Sequence, residues 1–220
     1  MKKTVDEHAA RFDELAASYD DEKSAEYNEC VALVLEHAAP DSDDTVLDLG
    51  CGTGAIALGL AEDAGRVVGR DISEGMMDEA RRKADERGFE NVEFGEGQFR
   101  EPNFDGDVDA GSAEPPRADA RDASVDIVTS NFAMHHLSDA EKREAISVIA
   151  GLGPRRIVLG DVMFFGEPDP EEPFYSPEVD DPATVGVLAD AFTDEGYALT
   201  AVEMVHEQVG VLVAERQQPQ

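Results

Sequence analysis

Nine residues constrain this chain more than any other stretch: Val46-Leu47-Asp48-Leu49-Gly50-Cys51-Gly52-Thr53-Gly54. Apolar Val46, Leu47 and Leu49 read as a short buried strand, and Ala55, Ile56, Ala57, Leu58 and Leu60 as the opening of a helix. Glycines at alternate positions let the turn between them adopt backbone conformations closed to other residues, so that a ligand can lie against bare main chain. The helix that follows aims its unpaired N–H groups at the same place. Asp48 is the odd member, because a carboxylate at the end of an apolar strand is costly unless it binds something, and a cation would justify it. Gly50-x-Gly52-x-x-Ala55 also satisfies the looser dinucleotide fingerprint, so the turn points to a nucleotide cofactor without saying which.

The rest of the chain supplies alternating strand and helix patterns. Residues 5–20 and 24–39 have apolar groups at helical spacing, the second run being stopped by Pro40. Residues 66–71 read as a second strand ending in Asp71, which stands 21 residues after Gly50. An acid there can accept from both ribose hydroxyls. Ser73 is a candidate N-cap for the next helix. Asn91–Phe94 reads as a third strand, Val125–Thr129 as a fourth, Arg156–Asp161 as a fifth, and Tyr197–Val205 with Val209–Ala214 as a closing hairpin. Helices are expected from Ser138 to Ala150 and over 183–195. Residues 100–122, rich in proline, glycine and acids, read as a surface loop.

Composition bounds the partners. With 50 acidic against 18 basic residues the net charge is -32, spread along the whole chain, and lysine occurs only at positions 2, 3, 23, 83 and 142. Such a surface repels itself until molar salt shortens the screening length to ~3 Å. It resembles the proteins of halophilic microbes. It also weighs against nucleic acid, whose binding rests on basic phosphate contacts. No run approaches the ~18 apolar residues of a membrane span, and no signal peptide is read at the start, so a cytoplasmic enzyme is expected. Cys30 and Cys51 lie apart and suggest neither a disulfide nor a zinc site.

Three stretches carry a resemblance to a known family. The 46–54 motif resembles the first motif of class I S-adenosylmethionine (SAM) methyltransferases. Ser124-Val125-Asp126-Ile127-Val128-Thr129-Ser130-Asn131-Phe132-Ala133-Met134-His135-His136-Leu137 resembles the segment that faces sulfonium and acceptor in the small-molecule members. Phe12-x-x-x-Ala16-x-x-Tyr19-Asp20 resembles their N-terminal lid, although core-facing aromatics on an amphipathic helix would look the same. The resemblance implies an α/β fold, a Rossmann-like three-layer sandwich around a seven-stranded, mostly parallel sheet whose last strand is antiparallel. It implies one domain over 1–220, with a helical lid at 1–40 and the core at 41–220. Asp48, Gly50, Cys51, Gly52 and Gly54 would hold the methionine end of SAM, Asp71 the ribose, and Ile72 and Gln98 the adenine, Gln98 replacing the family's usual acid. Asn131, His135 and Tyr19 would stand at the reacting end. Arg70 departs from the pattern, which has an apolar residue there, and suggests a wetter strand end.

The activity implied is methyl transfer to a small molecule. An RNA or protein methyltransferase, a SAM-binding protein without turnover and an NAD-dependent oxidoreductase remain as other readings. No metal is expected, because adjacent histidines such as His135 and His136 on a helix point about 100° apart. The oligomeric state is not legible.

Overall fold

Strands as rich in valine, isoleucine and leucine as these have no face suited to water, and in the computed structural model they form a sheet covered on both sides. The structure describes residues 4–21, 23–104, 124–167 and 173–217. Most of the 100–122 loop and part of the 166–182 segment fall outside them. The strands are β1 (Thr45–Leu49), β2 (Arg66–Asp71), β3 (Val92–Glu96), β4 (Ile127–Asn131), β5 (Arg156–Phe164), β6 (Ala183–Thr184), β7 (Tyr197–His206) and β8 (Val209–Arg216). Seven of them lie in the order β3-β2-β1-β4-β5-β8-β7, and the two-residue β6 pairs with the end of β5. β8 alone runs against its neighbours, antiparallel to both β5 and β7. The expected class I architecture is thus the observed one.

The helices are α1 (Val5–Leu15), α2 (Ala25–Ala38), α3 (Ala55–Leu60), α4 (Glu74–Arg87), α5 (Asp139–Gly151) and α6 (Val185–Asp194). Alternation along β1 splits the core in two. Val46 joins Cys30, Val34, Ile56 and Leu60 beneath α2 and α3, while Leu47 and Leu49 join Ile146, Ile149 and Phe192 beneath α5 and α6. Ser73 caps α4 by accepting from the Met76 amide at 3.2 Å. At the start of α5, Ser138 and Glu141 cap reciprocally, and such a cap contributes about 1 kcal/mol.

Boundaries moved where pairing rather than local preference decides them. β4 begins at Ile127, not Val125, because that residue is the first to register with Val46 of β1 and Arg156 of β5. β5 continues to Phe164 because Val162 pairs with Val209 and Met163 with Ala183. Residues 16–18 tighten into a 3-10 turn instead of prolonging α1. Arg70 is not wet. It is 6% exposed, with its guanidinium donating to the carbonyls of Gly69 and Asn103 and to Glu93.

The order of strands reverses between β1, which leads outward to β2, and β4, which leads the other way. A crevice opens at the carboxyl ends of strands at such a point. The chain delivers the glycine turn, Asp71 and Asn131 to it.

Candidate active site

The glycine turn is held to the neighbouring strand by its own main chain. The amides of Gly50 and Cys51 donate to the Arg70 carbonyl at 2.8 and 3.1 Å. Gly50, Gly52 and Gly54 have φ of 69°, 50° and 85°, all in the left-handed region. A Cβ on Gly50 would lie 2.4 Å from that of Ala133. Gly50→Ala is therefore expected to destabilise the chain by at least about 3 kcal/mol through strain and overlap together, read from its urea midpoint. Gly52 differs. Only Tyr19, at 4.0 Å, lies within reach of a Cβ there, so its bare backbone faces open space. Gly54 does not border the cavity; it lets α3 pack against Ala80.

Beside this turn lies a cavity bordered by Asp48, Cys51, Gly50, Gly52, Asp71, Ile72, Gln98, Asn131 and Tyr19. Asp48, 1% exposed, accepts from the Thr129 hydroxyl at 2.9 Å through one oxygen. Its other oxygen is buried and outside any well-formed hydrogen bond, the Ala57 amide being the other donor near this carboxyl. Burial, with the nearby charge of Asp71, pushes this carboxyl up to about 7. Asp71 uses its two oxygens to accept from the amides of Gly52 at 2.8 Å and Ser73 at 2.9 Å, which fixes its position and leaves a further lone pair on each oxygen. Gln98 is held in a tight turn by paired main-chain bonds with Glu101.

Asn131, at the end of β4, is buried with neither end of its amide in a well-formed hydrogen bond. Phe132 follows it with φ of 54°, an uncommon conformation for a bulky residue. Its amide donates to the Gly160 carbonyl at 2.8 Å, and its ring packs near Tyr27 and Phe174.

The residues of the turn that follows are distributed in an unexpected way. Met134–His136 is a 3-10 turn, and the two imidazoles lie with centroids 4.1 Å apart; the argument from α-helical spacing does not apply. His135, singled out in the sequence, does not border the cavity; His136 does. The His135 ring instead meets the buried carboxylate of Asp161, Nδ1 to Oδ1 at 2.5 Å, and its amide donates to the other Asp161 oxygen at 3.0 Å. Burial opposes charging His135, but Asp161 and Asp180 outweigh it and hold the imidazole above its usual range. Burial pulls His136 below its own.

The amino-terminal segment covers this cavity. Val5, His8 and Phe12 of α1 and Tyr19 border it, with His8 and Phe12 set against His136 at centroid distances of 4.9 and 5.8 Å. Burial, then Asp71, pushes Tyr19 up to about 12, so it stays a hydrogen-bond donor. The cover is fastened by two acids, Asp20, which ends the lid motif, and Asp13, which carried no distinguishing signal in so acidic a chain. Asp13 accepts from the Ser73 hydroxyl at 2.6 Å and the Gly75 amide at 2.9 Å. Asp20 accepts from the Thr53 hydroxyl at 2.8 Å and from Lys83, whose ammonium also reaches the Thr53 carbonyl.

A buried carboxyl with one oxygen outside any well-formed hydrogen bond, a buried amide in the same condition at the end of β4 and a glycine exposing bare backbone suit a ligand that brings a cation and several hydroxyls. Comparison with known proteins agrees. Residues 46–152 match the family described as "Methyltransferase domain". An uncharacterized methyltransferase of Bacillus subtilis, YcgJ, is 31% identical over 140 residues, 63% of this chain and 49% of that protein. The 23S rRNA (uracil(1939)-C(5))-methyltransferase of Marinomonas posidonica is 37% identical over 94 residues, 41% of this chain and 22% of that protein. The chain thus spans half or less of the length of these relatives. Magnesium protoporphyrin IX methyltransferase from Synechocystis PCC 6803, crystallised with bound SAM, has the same fold, with a TM-score of 0.60 and 21% identity over 99% of this chain and 86% of that one. Residues 46–152 thus resemble a methyltransferase domain, on a class I fold that a SAM-bound neighbour shares.

Proposed function

We propose that this chain transfers the methyl group of SAM to a small organic acceptor. The observation that carries the reading is the continuity of one cavity from the glycine turn to a wall of Phe12, Phe132, His136 and Leu137, roofed by α1. A space closed by aromatic and imidazole rings suits a compact, partly apolar molecule. A nucleic acid would need a basic approach, and the net charge is -32.

SAM supplies an activated methyl on a sulfonium, and the chain's own residues do the rest by binding, orienting and excluding water. The free oxygen of Asp48 accepts from the ammonium of the methionine end. Gly50, Cys51 and Gly52 present main chain to that end, and Gly54 lets the turn close. The remaining lone pairs of Asp71 accept from the ribose hydroxyls, while Ile72 and Gln98 meet the adenine. Asn131 and Tyr19 stand at the reacting end, where the amide and the protonated phenol orient the acceptor. His135 is a positioning residue: gripped by Asp161, it sets the turn that presents His136 to the cavity. The sulfonium would leave as a neutral thioether that needs no proton, and the proton given up by a protic acceptor would pass to water.

Calorimetric titration in molar potassium chloride should show binding of SAM and S-adenosylhomocysteine and none of NAD. Transfer is tested by incubating the chain with methyl-tritiated SAM and fractionated halophile extract. Label should appear in the solvent-extractable fraction; label in RNA or protein instead would overturn the small-molecule acceptor, and absence of turnover despite SAM binding would mark a binding protein.

A further inference from the structure

Behind the acceptor wall, His135, His136 and Asp180 bring one ligand atom each to within 4.8 Å of one another. We propose that they form a binding site for a divalent transition-metal ion of the zinc, cobalt or iron(II) type. This goes beyond the methyl-transfer reading and does not depend on it.

The argument starts from tautomers. Asp161 accepts a hydrogen bond from His135 Nδ1 at 2.5 Å, which makes Nε2 the nitrogen available to a ligand. It faces Asp180 Oδ1 at 3.9 Å, a gap too wide for a hydrogen bond, and a metal ion there would take the place of any proton on Nε2. Bonds of about 2.0–2.2 Å to a tetrahedral ion put two donors about 3.4 Å apart, so the site closes by moving the 3.9 Å pair about half an ångström and the widest pair, now within 4.8 Å, by up to about 1.4 Å through rotation of the His136 and Asp180 side chains. His136 Nδ1, 2.8 Å from the same Asp180 oxygen, supplies the third ligand once its proton is displaced, as metal binding to imidazole requires.

The site is held ready on both sides. The Asp181 amide donates to the His135 carbonyl at 2.7 Å, and Lys142 bridges the carbonyls of Leu137 and Asp181, so the strand of chain carrying Asp180 is tied to the histidine turn. The second Asp180 oxygen accepts from the Ser176 amide at 2.8 Å. Side chains of His135 and Asp180 are each 9% exposed and that of His136 19%, which sets this group apart from the surface acids. Two imidazoles and one carboxylate, with a carboxylate behind an imidazole, select a nitrogen-loving ion over magnesium or calcium. Three protein ligands leave a fourth position open.

The test uses the full chain, stripped with chelator and titrated with cobalt(II) in molar potassium chloride, following the visible d–d absorption that only low-symmetry nitrogen and oxygen ligation makes intense. One saturating equivalent is expected, undiminished by a large excess of magnesium. Asp180→Asn keeps the shape of the loop and should weaken binding at least about hundredfold. Asp161→Asn, behind the ligand, should weaken it about 10–100-fold. Far-ultraviolet circular dichroism and the urea midpoint of each variant report folding separately. The proposal is overturned if wild type shows no cobalt band, which would mean the cluster holds a proton only. It is also overturned if Asp180→Asn binds as well as wild type or if magnesium competes equally, since the ions would then sit on surface carboxylates.

Discussion

Asp71→Ala should reduce SAM affinity about hundredfold or more, while a folded chain remains. The carboxylate accepts from the Gly52 and Ser73 amides, with the Ile72 amide close by, and it borders the cavity. Two bonds from ribose hydroxyls to a charged acceptor are worth about 1.5–3 kcal/mol each, and about 3 kcal/mol is a hundredfold in affinity. The same substitution removes two main-chain contacts, so the urea midpoint should also fall, by an amount equivalent to about 2–4 kcal/mol. Ser73→Ala separates the effects. It removes the cap of α4 and the hydroxyl that Asp13 accepts from and leaves the carboxylate in place, so it should cost stability and little affinity. Retention of SAM affinity within a few-fold in Asp71→Ala would place the ribose elsewhere.

The second large effect concerns Asp48. Its carboxyl, at about 7 in the folded chain against an ordinary 3.8, keeps its proton where the unfolded chain has lost it. The stability this adds is therefore full at low pH and is lost as pH rises from about 4 through 7. At 1.36 kcal/mol per unit the loss is at most about 4 kcal/mol. Asp71, Cys51 and Tyr27 are the titratable groups around it, and the last two stay neutral across that range. Asp48→Asn should remove Asp48's share of the slope and leave that of Asp71, which burial also raises, making a SAM-free chain about 2–3 kcal/mol more stable than wild type at pH 8. It should bind SAM at least tenfold more weakly there, because an amide cannot match a carboxylate opposite an ammonium. Urea unfolding of both proteins at pH 5 and pH 8, in the same salt, measures the first; calorimetry measures the second. Parallel slopes for the two would show that another acid carries the pH dependence.

The fold was legible because its strands are buried on both faces. Val46-Leu47 and Ile127-Val128 have no polar alternation to be misread, and the turns between them carry glycine or a helix cap. Strand ends were less so, since Ile127 or Val125 starts β4 according to which partner is beside it, a non-local fact. At the site, residues whose chemistry is out of keeping with their surroundings announced themselves: Asp48 in an apolar strand, Gly52 where a side chain would cover the backbone. The choice between His135 and His136 was not legible, for it depends on a 3-10 turn and on Asp161, a buried acid 26 residues further along. Asp13 was hidden for another reason. Among 50 acids, one that fastens a cover looks like the rest, and Asp20 was legible only as the last member of the lid motif.

The backbone of Phe132 has a bearing on how this protein would respond to laboratory evolution. A phenylalanine with φ of 54° stores about 1–3 kcal/mol that a glycine there would release. Deleting the ring would also forfeit its packing between Tyr27 and Phe174, which at about 3–5 kcal/mol outweighs that relief. A library screened for heat resistance alone would therefore keep the phenylalanine and collect its gains elsewhere. Selection for durability and selection for catalysis would thus pull the same way at this one torsion angle.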